Sequence, residues 1–250
     1  MLFKIIKKIT GVFGYRLIGK NFFKNNRIIT ANSYLNLNKI LKNLFLKNQI
    51  KTLVQIGAND GLLFDTLNKY IQEYKPNALL VEPIKDNFNK LKKNYETLNC
   101  LTFENSAISV NNEIAFLYKV NTSKLNLYDK HVLGITSFNK KHLIEHGVKN
   151  SHIIKEDVCS ISIEDLFAKH SIQNLDLLFI DAEGYDCKIV YDFLIKSLLR
   201  PIIICEYIHS DHNFFSQMLN KLSDNKYIYF SINENLICFP SEKKQLLDFS

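Results

Sequence analysis

The chain has 250 residues, 46% of them apolar, which suffices for one large α/β domain or two small ones with a sizeable core. Its net charge of +7 is uneven: ten of the 32 Lys and Arg, and none of the 25 Asp and Glu, fall within residues 1–50, leaving 22 basic against 25 acidic groups beyond them. That balance argues against gripping a nucleic acid along the functional face, where basic residues would have to gather, and five scattered cysteines (Cys100, Cys159, Cys187, Cys205, Cys238) without a CxxC pair argue against a disulfide framework or a zinc ribbon and for buried, reduced thiols in a cytoplasmic protein.

In chain order, the opening segment MLFKIIKKITGVFGYRLIGKNFF mixes Leu2, Phe3, Ile5, Ile6 and Ile9 with Lys4, Lys7, Lys8, Arg16 and Lys20. No uncharged apolar run approaches the roughly 18 residues of a membrane span, and charges interrupt the apolar region that a signal peptide needs. Two readings stay open: a helix packed on its own domain or on a partner subunit, and a basic amphipathic helix on the inner face of a membrane. A second helix is expected at about 35–46, so that residues 1–47 form a basic helical extension before a domain at 48–250.

From residue 51 strands alternate with helices. Thr52–Ile56, Ala78–Val81, Leu175–Ile180 and Ile202–Cys205 read as buried strands. Leu63, Leu67, Tyr70, Ile71 and Tyr74 share one helical face, as do Phe88, Leu91, Tyr95 and Leu98, and Ser162 with Asp165 three residues on reads as a helix start. Such alternation implies right-handed βαβ units and a doubly wound parallel sheet. Tyr227–Phe230 and Leu236–Phe239 read as a closing antiparallel hairpin, whereas 121–142 shows no strong period and is expected to be a functional loop.

The stretch VQIGANDG, residues 54–61, has Gly57 and Gly61 ending strand one and opening a helix, the place where α/β sheets bind ligands. Its GxxxG spacing lacks the middle glycine of the dinucleotide fingerprint and suits a group smaller than a pyrophosphate, such as the amino-acid moiety of S-adenosylmethionine. Asp60 is placed to take that ammonium and Asn59 to hydrogen-bond nearby. Glu82, 25 residues after Gly57 and followed by Pro83, is placed to accept from both ribose hydroxyls. Asp181 and Glu206 close two apolar strands, with His209 three residues beyond the second. If those strands are neighbours, the two carboxylates suit Mg²⁺ or Mn²⁺, or else one carboxylate or a histidine is a general base. His131 and His142 read as solvated.

VQIGANDG, LLVEP, NSAIS, GITSF, LLFIDAEGYD and CEYIH, in this order, resemble the FkbM family of S-adenosylmethionine-dependent methyltransferases over about residues 50–240. The resemblance implies a class I methyltransferase fold, a Rossmann-like, seven-stranded, mostly parallel sheet with helices on both faces. It implies O-methylation of a hydroxyl, commonly on a sugar or a secondary metabolite, often in the making of cell-surface glycans. Carried over by position, Gly57, Asn59 and Gly61 would line the methionine part, Glu82 the ribose, Asn105 and Ser106 the adenine edge, and Asp181 the crevice near the methyl. Ser137 and Phe138 would close over the acceptor. The acidic residue frequent on strand one of this superfamily is Gln55 here, which leaves the ammonium to Asp60 or Asp181. Two other readings remain: a nucleic-acid methyltransferase, disfavoured because no Asn-Pro-Pro-Tyr motif occurs, and a non-catalytic module held through the basic N-terminus.

Overall fold

In the computed structural model, which describes residues 36–63, 65–110, 115–129, 132 and 134–247, the apolar runs become neighbouring strands. The strands are β1 (Thr52–Ile56), β2 (Asn77–Val81), β3 (Leu101–Glu104), β4 (Ala107–Ile108), β5 (Ala115–Val120), β6 (Ile153–Val158), β7 (Ser160–Ile161), β8 (Leu177–Ile180), β9 (Ile202–Glu206), β10 (Tyr227–Ile232) and β11 (Asn235–Pro240). The α-helices are α1 (Leu37–Leu46), α2 (Asn68–Tyr74), α3 (Lys85–Asn94), α4 (Lys140–Glu145), α5 (Ile163–Lys169), α6 (Asp186–Lys196) and α7 (His212–Asp224). The readings of residues 1–35 and of His131 lie outside the described residues.

The main sheet runs β3-β2-β1-β8-β9-β11-β10, parallel except for β11, which is antiparallel to both β9 and β10. This is the seven-stranded, mostly parallel sheet that the resemblance implied. β8 is buried at every residue, as is β1 after Thr52, which is what helices on both faces of a parallel sheet require. Strand order reverses between β1 and β8, and that switch point opens a crevice at the carboxyl ends of the strands.

The core on one side of the sheet joins Val54, Leu178, Ile180 and Ile203 with Phe167, Ile189, Val190 and Phe193. Cys187, Cys205 and Cys238 belong to it, and burial pushes the Cys187 thiol up to about 11. Cys159, expected among the buried thiols, is exposed, and Cys100 is half-buried. Helix α1 buries Ile40, Leu41, Leu44 and Phe45, with the Phe45 ring stacked on Tyr70 at 5.1 Å. It thereby belongs to the compact unit Asn36–Phe249, whereas the sequence placed it with the extension 1–47.

Two local expectations are corrected. Helix α2 starts at Asn68 and not at Gly61, because the Asp60 carboxylate accepts from the N–H groups of Leu62 and Leu63 and the Asp65 carboxylate from that of Leu67. Such side-chain bonds satisfy the backbone outside a helix, and Leu63, read as part of the buried face, is half exposed. The aperiodic stretch 121–142 lies between β5 and β6, which pair as an antiparallel ribbon that the sequence did not reveal. Within it a 3₁₀ turn (Thr122–Leu127) and α4 close a small core of Val120, Val132, Ile135, Leu143 and Val148. Ser137 bridges to Tyr118 through two backbone hydrogen bonds of 2.8 and 3.1 Å, fixing the GITSF segment to the ribbon.

The Ser162 start is present: its Oγ accepts from the Asp165 N–H at 3.0 Å and donates to the Asp165 carboxylate at 2.8 Å. Ser162→Ala should cost about 1 kcal/mol, which a thermal melt should register as a fall of roughly 2–4 °C for a domain of this size.

Candidate active site

Gly57 leaves β1 with φ +84°, and a Cβ on it would stand 1.9 Å from the carbonyl oxygen of Asp181 at the end of β8. Only glycine fits where the two strand ends converge. The N–H groups of Gly57 and Ala58 both donate to the Val81 carbonyl at 3.0 Å, turning the chain across the end of β2. Asn59 then adopts φ 51° and donates its N–H to Glu82 Oε2 at 2.9 Å, while Ile84 N–H donates to Glu82 Oε1 at 2.9 Å. Glu82 is 4% exposed, and burial pushes its carboxyl up to about 7 against the pull of these bonds.

These turns wall a crevice that opens to solvent at the carboxyl ends of the strands. Gln55, Gly57, Asn59, Glu82, Pro83 and Asp181 line it together with Asp65, Thr66, Ala107, Ile108, Thr136, Phe138 and Glu183. Asp60, Gly61, Asn105 and Ser106 do not. The Asp60 carboxylate is turned to the local N–H groups already described, and a Cβ on Gly61 would meet the Tyr95 ring at 2.5 Å, so that this glycine answers to packing against α3. The Asn105 amide donates to the carbonyls of Glu82 and Pro83 at 2.9 and 3.0 Å, holding the turn that carries Glu82, and the Ser106 hydroxyl donates to Glu104 at 2.7 Å. Their successors Ala107 and Ile108 form the apolar wall instead.

Gln55 is 2% exposed; its Nε2 donates to Asp65 Oδ1 at 2.9 Å, and its Oε1 is buried without a partner among the described residues. Asp65 also accepts from the Tyr95 hydroxyl at 3.1 Å, and burial raises its pKa despite these bonds. A carboxylate ten residues further along thus stands beside Gln55, a relation no local pattern reveals. A buried acceptor without a donor, beside a carboxylate, fits the ammonium of an amino-acid moiety.

Asp181 stands in a cluster of carboxylates. The Asp186 carboxylate, fully buried at the start of α6, accepts from the N–H groups of Ala182 and Gly184 at 3.1 and 3.2 Å, and burial holds it at about 6. It shapes the turn in which Glu183 (φ 49°) and Gly184 (φ 96°) are both left-handed. Protein surrounds Asp181 on most sides, yet its surface is open to solvent through the crevice mouth. Desolvation, then the charges of Asp186, Glu183 and Glu206, push its pKa well above the ordinary carboxylate value, and water at the mouth tempers the first of these causes. Glu206 continues β9 beside Asp181, since Cys205 registers with Ile180, but it sits 3.6 Å from His209 and is absent from the crevice wall. Burial, then Asp186 and Glu183, push it up to about 8. His142, read as solvated, is 5% exposed, with its Nε2 2.9 Å from Glu183 Oε2. The Ser137 hydroxyl donates to the Glu183 carbonyl at 2.8 Å, so the GITSF segment is tied to the IDAEG turn.

The Methyltransferase FkbM domain profile matches residues 55–229, most of the chain, and the chain belongs to this family of S-adenosylmethionine-dependent methyltransferases. Among solved structures it is similar to methyltransferase FkbM from Methylobacillus flagellatus KT, at 12% identity and a TM-score of 0.44, over 76% of this chain and 44% of that one. It is also similar to the METTL16 methyltransferase domain, at 12% identity and a TM-score of 0.43, over 80% of this chain and 64% of that one. A third is precorrin-6y C5,15-methyltransferase from Geobacter metallireducens GS-15, at 8% identity and a TM-score of 0.40, over 84% and 90%. The chain spans less than two thirds of the first two. No curated protein matches it.

The ionised form of Glu82 is the better acceptor for hydroxyl donors, and its pKa of about 7 leaves much of it protonated at neutral pH in the free protein. The affinity for S-adenosylmethionine should therefore rise between about pH 6 and pH 8. Glu82→Gln should flatten that rise and weaken binding at pH 8 by about tenfold, the loss of one charge-assisted bond. Calorimetric titrations across the range would show either outcome.

Proposed function

We propose that this member of the FkbM methyltransferase family methylates a hydroxyl of a sugar, a sugar nucleotide or a cell-surface glycan precursor. The observation that carries the reading is Asp181: a carboxylate of raised pKa that lines the crevice at the end of β8, suited to act as a general base for a hydroxyl proton. S-adenosylmethionine supplies an electrophilic methyl group on a sulfonium centre when bound. Gln55 Oε1 and Asp65 receive the ammonium, Glu82 the ribose hydroxyls, and the apolar side chains of Ala107 and Ile108 pack against the base. Thr136 and Phe138, on the segment held by Tyr118 and Glu183, bound the side from which an acceptor enters. Asp181 takes the hydroxyl proton as the oxygen attacks, and holding the two reactants in line provides most of the acceleration.

Four carboxylates, Asp65, Glu82, Asp181 and Glu183, lie along the crevice and none of the described residues lining it is basic, a wall suited to hydroxyl donors. Supporting the same reading, the chain's basic excess lies within residues 1–50, which we propose serve attachment to a membrane surface or a partner subunit. No helix among the described residues is long and apolar enough to cross a membrane.

Mass spectrometry of sugar nucleotides and glycans incubated with the protein and S-adenosylmethionine should find a gain of one methyl. Asp181→Asn should lower kcat by about 10²–10⁴-fold, the range for loss of a general base, with cofactor affinity kept within about threefold. Methylation confined to nitrogen or carbon acceptors would overturn the hydroxyl assignment, and an unchanged kcat would remove Asp181 as the base.

A further inference from the structure

The best-defined cluster of metal-ligating side chains among the described residues is made of histidines. His142 and His146 lie four residues apart at the end of α4, so their rings fall on one face. His209, from the turn between β9 and α7, meets them because Gly184 leaves room: a Cβ there would stand 3.3 Å from the His209 carbonyl oxygen. Ring centroids are 4.6 Å apart for His142–His146, 4.4 Å for His142–His209 and 5.4 Å for His146–His209. One ring nitrogen from each lies within 4.8 Å of the other two. Nitrogens on a tetrahedral zinc ion stand about 3.3 Å apart, given metal–nitrogen bonds of about 2.0–2.1 Å, so binding would draw the three rings together.

We propose that His142, His146 and His209 bind one divalent transition-metal ion of the zinc type beside the methyl-transfer crevice. Imidazole nitrogens suit zinc and its neighbours, whereas Mg²⁺ and Mn²⁺, the ions inferred for Asp181 and Glu206, prefer oxygen. Two carboxylates flank the rings, Glu183 at 2.9 Å from His142 Nε2 and Glu206 at 3.6 Å from His209 Nε2. They match the charge of a divalent cation and orient the rings, as carboxylates behind metal-bound histidines do. Three protein ligands leave a fourth tetrahedral position for water or for an acceptor oxygen, and Glu183 is shared between the cluster and the crevice wall. The binding of metal stands without the methyl-transfer reading; delivery of an acceptor oxygen rests on it.

The test uses the full chain, stripped with a chelator, with neither S-adenosylmethionine nor acceptor present. Calorimetric titration with Zn²⁺ should find one ion per chain, and Co²⁺ should develop the visible absorption of a tetrahedral site. His146→Ala and His209→Ala should each weaken binding by about 100-fold or more, with circular dichroism melts confirming that both variants fold, while Glu145→Gln on the same helix should bind as the parent does. Absence of stoichiometric binding by the parent chain, or parental affinity in both histidine variants, would overturn the site. Neither result touches cofactor binding, so failure here leaves the methyl-transfer proposal to its own experiment.

Discussion

The crevice depends on one close approach: the end of β1 and the end of β8 come so near at Gly57 and Asp181 that a single methyl group would not fit between them. That contact exists because the two strands pair in parallel register, Ile56 beside Ile180, and then diverge at the point where the strand order reverses. Turning sharply after Gly57, the backbone presents the Asn59 N–H to Glu82. Across the gap, Asp181 lines the crevice. A larger residue at 57 would push the two chain ends apart and with them every group that faces a ligand.

Around that contact the protein accumulates carboxylates that water would ordinarily solvate. Glu82 and Asp186 are buried and kept tolerable by backbone N–H groups, two for each, while Asp65 leans on the Gln55 amide and the Tyr95 hydroxyl. Burial raises all three pKa values nonetheless, and mutual repulsion adds to the shift of Asp181 and Glu206. Groups held in this state gain from a cationic or hydroxyl-bearing ligand that supplies the missing donors. The Gln55 Oε1, without a partner among the described residues, is the neutral form of the same device.

The β5–β6 ribbon and the segment it carries form the other half of the site. Lys119 pairs with Glu156 across it, and the Lys155 ammonium lies 3.9 Å from the Phe116 ring centroid. Through the Tyr118–Ser137 bridge and the Ser137–Glu183 bond, this unit fixes Thr136 and Phe138 over the crevice and brings α4, with His142 and His146, against the IDAEG turn. The segment combines a core of its own with ties to the sheet, so its position relative to Asp181 is set by packing as well as by hydrogen bonds.

The sequence by itself determined the doubly wound sheet, its closing hairpin and the capped start of α5, because apolar runs, turn residues and a Ser-x-x-Asp pattern act over a few neighbouring residues. It also singled out Gly57, Glu82 and Asp181, since the end of a buried strand is a position that spacing alone can mark. Helix α2 starts later than its periodicity suggested, because Asp60 and Asp65 bind nearby N–H groups in competition with the helix. Only the tertiary structure decided that Asp65 meets Gln55, that Asn105 holds the turn carrying Glu82 while Ala107 and Ile108 line the crevice, and that His142, His146 and His209 meet. Residues 10, 23 and 67 positions apart carry no shared periodicity. What joins them is the register of β1 with β8 and the packing of an inserted ribbon, and both are fixed by long-range contacts that form only when the whole sheet closes.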